Sequence, residues 1–240
     1  MRNLKRALSL AMASVMLLGM MVVGAGAKGY DDVKETDNVE AIEVLQAIEV
    51  MVGDERGFGP DRPVNRAEMA VVMGLLLNLD YNYYSATCPF NDVYDWARGW
   101  VGACAANGIV SGRGDGVYDP GATVTAVEGA SMLMRALGYF KYPSDYADGF
   151  EVSTVRQGTT IGIFDGVGSS ATEPMTRNQV AQMVLNALKS GMVQPDGNTL
   201  NYFDNNGNII ATGGKINYVY VTSNKAFARS ISDTQATSLG

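Results

Sequence analysis

Two arginines occupy positions where a helix would not ordinarily place them. Arg66 follows Asn65 and Arg177 follows Thr176, and both preceding residues are suited to cap a helix. Each arginine therefore falls at the first helical position, beside the positive end of the helix dipole. A cation there is disfavoured by roughly 0.3–1 kcal/mol at an exposed site. The same unfavourable choice made twice suggests an anion in front of the helix, held by free backbone N–H groups and a guanidinium together. A salt bridge to a neighbouring acid accounts for the position equally well, because acids are plentiful in this chain.

Other chemistries have less support. The 240 residues include 18 Lys and Arg against 25 Asp and Glu, a net charge of −7, and no histidine. The missing histidine removes Ser-His-Asp and Cys-His catalysis and histidine-based zinc sites. The acidic balance makes nucleic acid a poor partner. Nothing in the spacing of the carboxylates places two in one cleft, as a glycosidase requires, so they read as solvated faces. Asp204, Asn206 and Asn208 imitate a calcium loop, but its glycine is misplaced and its closing Glu is missing. Gly112, Gly114 and Gly116 imitate a phosphate loop after a segment that reads as helix, where a dinucleotide site needs a strand. Arg113-Gly114-Asp115 lies in the same turn and needs no further cause. No catalytic residue, metal or cofactor is expected.

The elements that must position the arginines repeat along the chain. Asn65, Thr125 and Thr176 are each followed three residues later by Glu68, Glu128 and Gln179, a capping box written three times. Behind the caps, apolar residues recur at helical spacing, as in Met69, Val72, Met73, Leu76 and Val180, Met183, Val184, Ala187. These stripes read as core. The equivalent positions lie 60 residues apart from Glu68 to Glu128 and 51 from Glu128 to Gln179. Each unit reads as helix, Gly-rich loop, helix, over residues 30–80, 88–140 and 146–190.

Both ends differ from the repeats. Residues 1–27 open with Arg2, Lys5 and Arg6, continue as an apolar run and close on Ala25-Gly26-Ala27, the form of a cleaved signal peptide. Cleavage would leave 213 residues and shift the net charge from −7 to −10, since the leader carries three bases and no acid. No later stretch is apolar enough to span a bilayer, so no membrane partner is expected after cleavage. In that oxidising setting Cys88 and Cys104, 16 residues apart, suit a disulfide worth about 3 kcal/mol in chain entropy. Both are also acceptable as small buried hydrophobes. Residues 191–240 are rich in Asn, Gly, Thr and Ser. Phe203 to Ile209 looks like a hairpin turn and Lys215 to Thr222 alternates like a strand. This β-prone or disordered tail is expected to stay apart from the helical core, as a linker or the start of a further region.

The recurring motifs resemble those of the S-layer homology (SLH) family. The second unit matches at Phe90, Asp92, Val93, Trp96, Gly108, Ile109, Gly112, Asp115, Gly116, Tyr118 and Pro120. The first and third units supply Asn65-Arg66-Ala67-Glu68 and Thr176-Arg177-Asn178-Gln179. The resemblance covers about residues 30–190. It implies a mainly α domain, a pseudo-threefold bundle of three helix–loop–helix repeats that binds secondary cell-wall polysaccharide or peptidoglycan-associated glycan at the bacterial cell surface. By resemblance, Arg66 and Arg177 meet an acidic, often pyruvylated, sugar. Asp32, Asp92 and Trp96 line the same grooves, with Gly53, Gly112 and Gly166. Three roles are compatible with such a module: a wall anchor, a subunit that assembles with itself in a surface lattice, or the anchor of a wall-acting enzyme. The second unit departs from the pattern with Ala126 in place of the arginine. The first has Asp37, and the third Phe150, where Trp96 aligns. No single unit holds the full set, although grooves that borrow from neighbouring units would be complete.

Overall fold

The computed structural model describes residues 29–195, with 202–203, 209–210 and 217–221. The signal peptide expected at residues 1–27 lies outside them. Among the described residues no helix is long and apolar enough to cross a membrane.

Among the described residues six principal helices form, two per unit. They are α1 (Val39–Ala47), α2 (Arg66–Leu76), α3 (Arg98–Ala106), α4 (Ala126–Leu137), α5 (Phe150–Thr160) and α6 (Arg177–Lys189). The capping boxes start α2, α4 and α6 where the spacing placed them, with both reciprocal hydrogen bonds present at each. Their apolar stripes are buried in one continuous core. The mainly α architecture read from the periodicity is the architecture observed.

The units close into a ring. Just before each second helix, an apolar residue donates its N–H to the same position of another unit. Val64 donates to Met175 O at 3.0 Å, Met175 to Val124 O at 2.9 Å, and Val124 to Val64 O at 2.9 Å. This triangle of buried backbone marks a pseudo-threefold axis. The first helices follow the same order, each packing on the second helix of another unit: α3 on α2, α5 on α4, and α1 on α6. Glycines allow the approach. A Cβ on Gly74 would lie 2.4 Å from the Trp100 ring. The turn after each first helix needs a left-handed residue, supplied by Gly108 (φ 69°) and Gly162 (φ 74°) but in the first unit by Glu49 (φ 58°).

Two expectations are corrected. Cys88 and Cys104 are free thiols, so the disulfide does not form. Cys88 lies by Gly102, on the opposite face of α3 from Cys104. Cys104 turns instead toward α2, where its Sγ donates to Ala70 O at 3.4 Å. The described part of the tail also joins the core. Strand β1 (Val193–Pro195) pairs antiparallel with β4 (Tyr218–Tyr220), and Met192, Val193 and Val221 are buried in the common core. The Tyr218 hydroxyl donates to Asp145 at 2.6 Å and accepts from Lys141 N at 3.1 Å. Val221 is buried and Tyr218 packs half-buried against the core, which docks the segment, while Val219 and Tyr220 stay exposed. Between them, β2 (Tyr202–Phe203) and β3 (Ile209–Ile210) pair antiparallel, and the hairpin turn expected at 204–208 lies outside the described residues.

Candidate functional site

Each Gly-rich loop of the first two units is clamped by the aspartate of the opening motif. Asp32 accepts from Phe58 N at 2.9 Å and Gly59 N at 2.7 Å. Asp92 accepts from Tyr118 N and Asp119 N, both at 2.8 Å. Burial would raise both carboxyls, but these backbone donors outweigh it and hold each below its ordinary value. The aromatic two residues earlier lies on a glycine. A Cβ on Gly53 would come 2.4 Å from the Tyr30 ring, and one on Gly112 would come 2.5 Å from the Phe90 ring. Gly166 has no such ring over it and takes a left-handed backbone (φ 70°) instead. Asp32, Asp92, Gly53 and Gly112 thus hold the loops in shape.

The two motif arginines reach across unit boundaries. Arg66 Nε donates to Tyr118 O and Nη2 to Ser111 O, both at 2.9 Å, with the guanidinium 4.5 Å from the centre of the Tyr118 ring. Arg177 repeats this on the first unit, donating to Phe58 O at 2.8 Å and Val52 O at 2.9 Å, 4.5 Å from the Phe58 ring. Arg66 is buried and also lies 3.6 Å from Glu128. Burial and the nearby Arg62 press the Arg177 guanidinium below its usual value, and among the described residues no carboxylate is in ion-pair contact with it.

The anion expected in front of the helix has nothing to bind there. Of the four N–H groups at the start of α2, two stay within the capping box, while Arg66 N and Ala67 N donate to Ala122 O and Pro120 O of the second unit. The starts of α4 and α6 are closed in the same way by the loops of the third and first units. The arginines escape the unfavourable end of the dipole by carrying their charge to a neighbouring loop's carbonyls. At the remaining junction Ala126 faces the third unit's loop, which has no aromatic between Val167 and Pro174. Arginine and aromatic are absent together.

Two clefts result. The first, about 260 Å³, is lined by Asp32, Val52, Asp54, Arg56, Arg62 and Arg177, among others. The second, about 390 Å³, is lined by Arg66, Arg113, Glu128, Ser131, Arg135 and Phe150, among others. Arginines outnumber acids in both walls, although the chain carries −7 overall. Sequence reasoning missed Arg135, because a base in the last turn of a helix has a sufficient explanation in the dipole. Trp96 stands exposed beside Tyr94, with ring centres 6.0 Å apart, and lines neither cleft. Its counterpart one unit on, Phe150, does line the second.

With this geometry in view, residues 29–70 and 89–125 match the S-layer homology domain family. The two matched segments hold the Asp32 and Asp92 clamps and the Arg66 motif. The chain is 27% identical over 205 residues to a cell surface protein of Thermoanaerobacter kivui, covering 81% of this chain and 26% of that protein. It is 26% identical over 213 residues to an endoglucanase of Bacillus sp. (strain KSM-635), covering 78% of this chain and 22% of the enzyme. It is also 26% identical over 135 residues to an S-layer protein of Bacillus thuringiensis subsp. finitimus, covering 55% and 16%. The chain spans about a quarter or less of the length of these relatives.

Proposed function

We propose that this chain is a non-covalent anchor at the bacterial cell surface, holding an acidic secondary wall polysaccharide in the two arginine-bearing clefts. The observation that carries the reading is Arg177, a half-buried guanidinium without an ion-pair partner among the described residues, in a chain of net negative charge. A partly desolvated cation beside an open cleft is stabilised by an anionic ligand, and its Nη1 has no acceptor among the described residues. Residues 146–190 are assigned as a third repeat on the strength of the Thr176–Gln179 capping box and Met175's place in the central triangle. Trp96 and the exposed Tyr94 offer a platform for a sugar ring.

Sedimentation with wall sacculi tests this. The chain should pellet with sacculi that retain their polysaccharide and stay in solution with sacculi stripped by hydrofluoric acid. Retention should weaken from low to high salt, because the attraction is screened over about 8 Å at physiological ionic strength. Arg177→Gln should reduce it about tenfold or more. Equal binding to stripped sacculi would show that the polysaccharide is not the ligand.

A second reading, in which the module anchors a wall-acting enzyme, is favoured by the similarity to an endoglucanase and to an amylopullulanase of Thermoanaerobacterium thermosulfurigenes. The similarity to S-layer proteins favours a lattice subunit instead. Both readings keep the clefts in the same role.

A further inference from the structure

We infer that Arg135, which belongs to none of the repeat's motifs, supplies the ligand-binding charge of the second cleft, while the motif arginine there, Arg66, is a strut of the fold. The inference rests on the reading of the clefts as acidic-glycan sites. Arg66 has Nε and Nη2 on carbonyl oxygens and Nη1 at 3.6 Å from Glu128, and its side chain keeps 10% of its exposure. Arg113 is paired twice, with Asp119 at 3.2 Å and Glu128 at 3.4 Å. Arg135 has no carboxylate partner among the described residues.

Its geometry is that of a held fork. Nε and Nη2 of Arg135 donate to the Tyr146 hydroxyl at 3.2 and 3.1 Å, and Nη1 donates to Ser111 Oγ at 3.0 Å. A guanidinium has five N–H donors. One N–H therefore remains on each terminal nitrogen, free to donate to a carboxylate or phosphate in a charge-assisted hydrogen bond. Tyr146 is itself fixed in a stack, 4.6 Å from Phe140 and 5.9 Å from Phe150. Phe150 is exposed and lines the same cleft, so a sugar ring can lie on it while its acidic group reaches Arg135. The equivalent helix position is Leu75 in the first unit and Asn186 in the third, where the Asn186 amide donates to Ile163 O and Asp165 O. Only the second cleft therefore has this fork. Its ligand is a sugar with a carboxylate or phosphate substituent, and the neutral sugar lacks the group the fork takes.

Calorimetry on the full chain tests this with three probes: an N-acetylhexosamine carrying a pyruvate ketal, the same sugar with the ketal hydrolysed, and its phosphate ester. Arg135→Gln should weaken the anionic probe that the wild type binds by about 10- to 100-fold and leave the neutral sugar unchanged. Whichever anion responds identifies the charge as carboxylate or phosphate. Arg135→Lys should restore part of the binding, since it keeps the charge without the fork. Arg135→Gln binding the anionic probe like the wild type, while Arg177→Gln loses wall retention, would overturn the role of Arg135 and leave the anchor reading intact. An equal loss for charged and neutral sugars would show a structural role and also overturn it. A wild type that binds neither anionic probe would overturn both.

Discussion

The residues that carry the repeat's motif divide into those that hold the fold and those that face a ligand, and Arg66 falls on the first side. Its guanidinium satisfies two carbonyls of another unit in a buried position, so Arg66→Ala leaves those carbonyls without their donor. The variant should lose about 2–3 kcal/mol of stability, read by denaturant titration. A loss below about 0.5 kcal/mol would mean that the contact is worth no more than a surface ion pair. Arg177→Ala, half-exposed, should lose less. The cysteines allow a second test at this scale. Burial pushes the Cys104 thiol up to about 12, so it stays protonated and unreactive at pH 9. An alkylating agent should modify Cys88 first in the folded chain and both thiols only after unfolding. The sign for stability follows from the raised value. The contribution is whole below the free thiol's 9.0 and is lost as pH rises toward about 12, because unfolding then releases a proton.

At the scale of elements, each second helix is closed twice, by its own cap and by a neighbour's loop. Thr125→Ala removes only the local part, the 3.4 Å bond from Glu128 N, and should cost about 1 kcal/mol. A loss much above about 2 kcal/mol would show that the cap also holds the adjoining Val124 in the central triangle. Helix–helix contact produces a less ordinary result at Gly74. Alanine in a helix interior is normally better than glycine by about 1 kcal/mol. Here its Cβ would collide with the Trp100 ring, so Gly74→Ala should destabilise by about 1–3 kcal/mol. A higher melting midpoint would show that α2 and α3 have room to separate. Glu49 is the converse case. It holds a left-handed backbone where the other two units use glycine, and Glu49→Gly should stabilise by about 1 kcal/mol.

At the scale of the whole molecule, the ring closes its first unit on its third. Helix α1 packs on α6, and Asn38 N donates to Asn178 Oδ1 at 2.7 Å across 140 residues of chain. A fragment ending at residue 140 keeps four helices but strands α1, Val64 N and the loop that Arg177 holds. It should show helical circular dichroism, a broad melt and dye binding, where the full chain melts sharply. A sharp melt of the fragment would show that two units suffice. Removing the tail from residue 191 onward exposes core otherwise covered by Met192, Val193 and Val221, and should lower the midpoint by several degrees without abolishing the transition.

The local features were legible in the sequence because local spacing causes them. Three capping boxes, the apolar stripes behind them and the turn glycines follow from a period of 3.6 residues and from backbone angles that few residues tolerate. They define the helices, the mainly α class and the repeat. What the side chains do between units was not legible, because those contacts join residues distant in sequence: 52 positions separate Arg66 from Tyr118, and 125 separate Arg177 from Val52. Placement at a helix N-terminus suggested a bound anion, and only the closed ring showed that neighbouring carbonyls already occupy that end. The same holds for Cys104, which turns toward α2 and away from Cys88, and for the tail strand, which docks on the helices. It holds also for Arg135, unremarkable at the end of α4 until the fold sets Ser111, Tyr146 and Phe150 around it. A helix dictates its own caps within four residues, but where its charges point depends on the surface packed against it.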